Sequence, residues 1–84
     1  MAEGHATLSL DAVRRLTQRI VPAVPDDEGA ELLESGIIDS FSLVEIVAAL
    51  EEALGQEFGP DEMRAENFRN LGTIWTLVQS MQRR

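Results

Sequence analysis

The sequence predicts an all-α domain: a four-helix bundle with a short third helix and a long loop between helices one and two. Three observations predict it. Apolar residues recur at helical spacing in three separate stretches, Leu10 to Val21, Leu43 to Leu54 and Leu71 to Met81. Glycine and proline fall between those stretches, at Pro22, Pro25, Gly55 and Gly59-Pro60. No segment alternates apolar and polar residues as a half-buried strand would.

Each element has its own start and stop signals. Met1 to Ala6 reads as a flexible leader, and residues 7–84 as one domain. Thr7 or Ser9 can cap a first helix, in which Leu10, Val13, Leu16, Ile20 and Val21 share one side and Arg14, Arg15, Gln18 and Arg19 the other. Pro22 and Pro25 end it. The connection from Val24 to Asp39 is longer than a bundle needs, and connections of that length in small domains are usually functional. Leu32, Leu33, Ile37 and Ile38 are expected to pin it to the core, with a short helical turn near Ala30 to Glu34. Asp39 is an N-cap for a second helix, Ser40 to about Leu54, stopped by Gly55. Leu43, Ile46, Val47, Leu50 and Leu54 should face the core. Phe41, Val44, Glu45, Ala48 and Glu52 fall on an adjoining face, with Glu51 beside it. Glu62 to Phe68 is expected to form the short third helix, burying Met63 or Phe68. Asn70 caps the last helix, whose Leu71, Ile74, Trp75, Val78 and Met81 keep helical spacing.

Composition narrows the chemistry. The chain has 84 residues, a net charge of −8 and 44% hydrophobic residues, enough for a folded helical domain with a modest core. It has no Cys, Lys or Tyr and one His, so it holds no disulfide scaffold and no cysteine metal site. Zero Cys is compatible with the expected cytoplasmic location. No apolar run approaches the roughly 18 residues of a membrane span, and the N-terminus lacks a signal-peptide pattern. From Val21 to Met63 there are twelve Asp or Glu and no basic residue. Such a surface repels nucleic acid and anionic membrane and attracts a basic patch on another protein. Neither is expected as a partner. The plainer reading is a solvated face that keeps a small monomer soluble.

Ser40 carries the most information. Asp39-Ser40 ends a loop and opens an acidic amphipathic helix. A hydroxyl there lies where backbone N–H groups and the helix dipole favour an attached phosphate. With so few reactive groups in the chain, this serine reads as an attachment point. The plain alternative is an ordinary helix start, since Asp and Ser both favour caps. Nucleotide loops, zinc spacings, calcium loops and catalytic triads are missing from the sequence, and no catalytic or metal-binding residue is expected.

At these residues the chain resembles the phosphopantetheine-dependent carrier proteins: acyl, peptidyl and D-alanyl carriers. The likeness rests on Asp39-Ser40, on Leu43-Val44-Glu45-Ile46-Val47 and Leu50-Glu51-Glu52 along the same helix, on Leu33-Glu34-Ser35-Gly36-Ile37-Ile38 before the serine, and on Phe68-Arg69-Asn70-Leu71-Gly72-Thr73-Ile74 at the entry to the last helix. It spans about Leu8 to Met81. The resemblance implies the acyl carrier protein type of four-helix bundle. It implies that a phosphopantetheinyl transferase, with coenzyme A and Mg²⁺, attaches 4′-phosphopantetheine to Ser40, while Asp39 caps the helix and helps that assembly. The arm's thiol then carries cargo as a thioester, which suits a chain with no thiol of its own. Phe41, Val44, Glu45, Ala48, Glu51 and Glu52 fall on or beside the family's partner-docking face, and the carrier itself is not an enzyme.

The chain departs from the family pattern in two places. Phe41 stands where Leu or Met usually follows the serine, and Ser35-Gly36-Ile37-Ile38 replaces the Gly-Ala common before Asp-Ser in fatty-acid carriers. The second departure leans toward a D-alanyl or peptidyl type. The expectation is a free-standing carrier of an aminoacyl or short acyl group, loaded by an adenylating enzyme and serving a specialised pathway. A carrier for fatty-acid or polyketide synthesis is the alternative. An acidic interaction module without a prosthetic group, and an enzyme using Ser40 as nucleophile, are the readings from other classes. The last lacks an activating base, since the only His is in the leader.

Overall fold

The computed structural model describes residues 7–84. The leader expected at residues 1–6, with His5, lies outside them. The elements are α1 (Leu10–Ile20), α2 (Ser40–Leu54), a single 3₁₀ turn (Ala65–Phe68) and α3 (Leu71–Gln82). Among the described residues there is no strand.

The helices start and stop on side chains that satisfy their free backbone groups. Ser9, not Thr7, caps α1 by accepting the Ala12 N–H at 3.1 Å. Asp39 caps α2, and Gly55 ends it in the left-handed region at φ 69°, donating its N–H to the Glu51 carbonyl. Asn70 caps α3 with Thr73 as its reciprocal partner.

One core joins all of these. Val13 from α1, Ile46 and Leu50 from α2, Phe68 from the 3₁₀ turn, and Leu71, Ile74, Val78 and Met81 from α3 are fully buried. Burying a side chain of this size contributes about 1.5–3 kcal/mol. Leu43, expected in the core, and Trp75, at helical spacing in α3, only flank it and remain partly exposed. Thr17 is the one buried polar residue among those described, and its hydroxyl donates to the Val13 carbonyl.

The long loop is held as the apolar pairs predict. Leu32 and Ile38 are buried, while Leu33 and Ile37 pack at the edge of the core. Backbone bonds complete the attachment. Leu32 N–H donates to the Arg69 carbonyl at 2.8 Å, Gly72 N–H to the Glu28 carbonyl at 3.1 Å, and Ile38 N–H to the Leu32 carbonyl at 3.0 Å. From the other side, Arg14 reaches the Asp26 carbonyl and Gln18 reaches the Asp26 carboxylate. The loop therefore delivers Asp39 and Ser40 from a fixed frame. The expected turn near Ala30 to Glu34 lies later, around Leu33 to Gly36, where Gly36 takes φ 82°.

The third helix is shorter than expected. Only Ala65–Phe68 is helical, as one 3₁₀ turn, so three α-helices and a turn stand in place of four helices. Local side chains explain the loss. The Asn67 amide donates to the carbonyls of Asp61 and Glu62, which a helix would have bonded through its own N–H groups. Arg64 is extended, breaking the helical path. Of the two candidates for burial, Phe68 is taken and Met63 is 40% exposed.

Candidate functional site

The site is the junction of the pinned loop with α2. Asp39 is extended, and its Oδ1 accepts two hydrogen bonds from Ser42, one from the backbone N–H and one from the hydroxyl, each at 2.8 Å. The Ser42 hydroxyl oxygen in turn accepts the Asp39 N–H at 3.1 Å. This closed box holds the Asp39 carboxyl below its usual range, chiefly through the Ser42 N–H and next through the Ser42 hydroxyl.

The two serines flanking Phe41 thus differ in chemistry. The Ser42 hydroxyl is committed to Asp39. Ser40 is exposed in the first turn, and among the described residues no hydrogen bond engages its hydroxyl. A phosphate ester on Ser40 would sit against the free N–H groups and positive dipole end of a helix of 15 residues. The residues present therefore fit a phosphate-linked group at Ser40, and the fixed loop leaves the approach open.

Down α2 from Ser40 runs an exposed stripe. Phe41 is 80% and Val44 64% exposed, and Glu45, Ala48 and Glu52 follow on the same face. Phe41 to Glu52 covers roughly 16 Å at 1.5 Å per residue. Two large apolar side chains flanked by carboxylates form a surface that can bury area against a partner while steering a basic one. Phe41 is therefore a surface residue and takes no part in the core. Glu51, expected beside this face, is turned elsewhere: its carboxylate accepts the Phe58 N–H at 2.7 Å.

Ser42 is the residue that sequence reasoning missed. Its signal was present, since an N-cap Asp followed three residues later by a side chain able to reach back is the spacing of a capping box. The box usually closes with Glu or Gln, and a serine there is easily read as an ordinary helical residue.

Two further features complete the surroundings. Among the described residues, no group of three or more His, Cys, Asp or Glu could hold a metal ion. Among the same residues, no helix is long and apolar enough to cross a membrane.

Comparison with curated proteins and with solved structures gives no match. A family model described as the phosphopantetheine attachment site matches residues 10–75, a span from the start of α1 into α3 that includes the whole loop and α2. The chain therefore belongs to the phosphopantetheine attachment family, carrier proteins whose domain is the site of covalently bound 4′-phosphopantetheine.

Proposed function

We propose that Ser40 is the attachment residue and that the chain presents thioester-bound cargo to partner enzymes in turn. The supporting observation is the contrast between neighbours: an exposed, unengaged Ser40 hydroxyl at the start of α2 and a Ser42 hydroxyl held by Asp39. Attachment by a phosphopantetheinyl transferase balances simply. A lone pair of Ser40 Oγ forms a bond to the phosphorus bearing the pantetheine in coenzyme A. The bond from that phosphorus to the bridging oxygen breaks, and the nucleotide half leaves with the electron pair. The serine proton passes to a base on the transferase. When bound, the arm supplies a terminal thiol for thioester formation. The chain's own residues supply placement: the pinned loop fixes where Ser40 stands, and the α2 stripe sets which enzymes reach it. Tethering raises the effective concentration of cargo at each partner without any catalysis by the carrier.

The cargo we infer is an aminoacyl or short acyl group, loaded by an ATP-dependent adenylating enzyme in a specialised pathway. The support is the run Ser35-Gly36-Ile37-Ile38-Asp39-Ser40 and the small Ala48 on the exposed face. Phe41, Val44, Glu45, Ala48 and Glu52 are the docking residues of this reading, and Glu51 supports them from the side by fixing the turn after α2.

Intact mass tests the attachment. Wild type incubated with coenzyme A, Mg²⁺ and a broad-specificity transferase should gain the mass of one arm. Ser40→Ala should fold normally, since Asp39 and Ser42 still close the cap, and gain nothing. An arm on Ser40→Ala, or none on wild type, overturns the reading. Loading assays on the modified protein then separate cargo classes: efficient malonyl transfer with elongation to long acyl chains would assign it to fatty-acid or polyketide synthesis.

A further inference from the structure

The Asp39 carboxylate is used asymmetrically. Both Ser42 hydrogen bonds converge on Oδ1, and among the described residues no hydrogen bond reaches Oδ2. A helix cap requires only the bond from the Ser42 N–H. The Ser42 hydroxyl adds a second donor to the same oxygen and also takes the Asp39 N–H, so it locks the carboxylate about its side-chain bonds. Fixing one oxygen fixes the other. Asp39 is exposed as a residue, and it directly precedes the serine whose hydroxyl is to be modified.

We propose that Ser42 is a positioning residue for modification of Ser40: it orients Asp39 so that Oδ2 faces the positive charge a transferase brings to coenzyme A. Any enzyme that moves a phosphoryl group from a pyrophosphate must neutralise the charge developing on its oxygens, and it does so with a metal ion or basic side chains. A preset carboxylate beside the acceptor serine gives that positive charge a fixed point of contact on the carrier. A carboxylate free to rotate must be ordered during the reaction, at a cost in rate. The proposal rests on Ser40 being the attachment residue.

The test is transferase kinetics with coenzyme A, the carrier being the varied substrate and mass gain the readout. Ser42→Ala keeps the backbone bond to Oδ1 and introduces the best helix former, so its circular dichroism and melting should stay close to wild type. Its kcat should fall about tenfold, the lower end for losing a group that orients a working carboxylate. Its KM should stay within about twofold, because the α2 stripe is untouched. Ser42→Thr, which restores a hydroxyl, should recover most of the rate. The double-mutant cycle is decisive. In an Asp39→Ala background, adding Ser42→Ala should change kcat by less than about twofold, because the group Ser42 acts through is gone. An unchanged kcat in folded Ser42→Ala, no recovery with Thr, or an equal loss in both backgrounds overturns the proposal. Wild type that gains an arm at Ser40 while Ser42→Ala gains it equally fast defeats only this inference. Wild type that gains none defeats the attachment reading, and this one with it.

Discussion

The Phe58 N–H donates to the Glu51 carboxylate, and this bond separates two glutamates that are adjacent in sequence. Glu52 is exposed on the α2 stripe, whereas Glu51 is half-buried and holds the chain where it leaves the helix. Phe58 in turn stacks on the buried Phe68 with ring centroids 6.3 Å apart. The Glu51 bond therefore helps place one aromatic of the core's upper edge. Glu51→Ala removes the acceptor and leaves the Phe58 N–H without its partner. The expected loss is about 1.5–2 kcal/mol of stability, the lower end of the range for a hydrogen bond to a charged group. For a domain of this size that lowers the melting temperature by roughly 6–16 °C. Partner affinity measured well below the melting temperature should hardly change. Thermal unfolding followed by circular dichroism checks the first expectation and partner titration the second.

Gly36 makes a separable prediction for the loop. Its φ of 82° lies in the left-handed region, and a Cβ built there would meet nothing within 4 Å. The cost of Gly36→Ala is therefore a backbone cost alone, about 1–2 kcal/mol. Gly36 lies four residues before Ser40, in the stretch that carries Ile38 into the core. Gly36→Asn, which tolerates the left-handed region better, should recover part of the stability. A chemical denaturation series on the three proteins measures this order directly.

The sequence made the three long helices legible because their caps and apolar spacing are local signals. Ser9, Asp39, Asn70 and Gly55 each act through bonds to residues no more than four positions away. The 3₁₀ turn was less legible because Asn67 competes for carbonyls that helical periodicity assigns to N–H groups. Ser40 and Asp39 stood out from their position before a periodic stretch. The docking stripe was legible for Phe41, Val44, Glu45, Ala48 and Glu52, since a helical wheel places them together. Glu51 was ambiguous on that wheel, and only the return of the chain at Phe58 settles where it points. Trp75 and Leu43 show the same limit: spacing gives the inward side of a helix, and the depth of burial depends on what packs opposite.

Acid should reveal the clasp between α3 and the turn at Gly59. The Glu62 carboxyl lies below its usual range, first because of the Arg84 guanidinium that bonds it and next because it accepts the Gly59 N–H at 2.7 Å. The folded pKa is lower than the unfolded one. Its contribution is therefore fully present above the ordinary glutamate pKa and is lost as the pH falls through the folded value. Glu62→Gln should reduce stability at neutral pH, and the gap to wild type should close as the solution is acidified below the ordinary glutamate range. Arg84→Gln should produce a smaller version of the same profile, because the Gly59 bond survives. A gap independent of pH would assign the effect of Glu62→Gln to packing in place of charge. Melting temperatures across a pH series of constant ionic strength distinguish the two.

The exposed carboxylates of α2 lead to the opposite signature. Glu45 and Glu52 sit on the same face as Phe41 and Val44, and no ion pair engages either among the described residues. Reversing an exposed charge contributes little to stability, so Glu45→Arg and Glu52→Arg should melt close to wild type. The twelve acidic residues between Val21 and Met63 and the net charge of −8 make the chain strongly negative, and a basic partner is drawn to it over distances comparable with the Debye length. Each reversal should weaken binding of a basic partner enzyme by roughly tenfold at low ionic strength. The loss should appear mainly in the association rate, because charge at the edge of an interface steers the encounter more than it holds the complex. Raising the salt should shrink the difference between wild type and variant, since the steering is screened in both. Phe41→Ala should behave differently: its loss should persist at high salt, because the apolar area it buries is insensitive to screening. Stopped-flow association of the carrier with its transferase at two salt concentrations measures all three variants, and equal rates for wild type and both reversals at low salt would limit the acidic face to solubility.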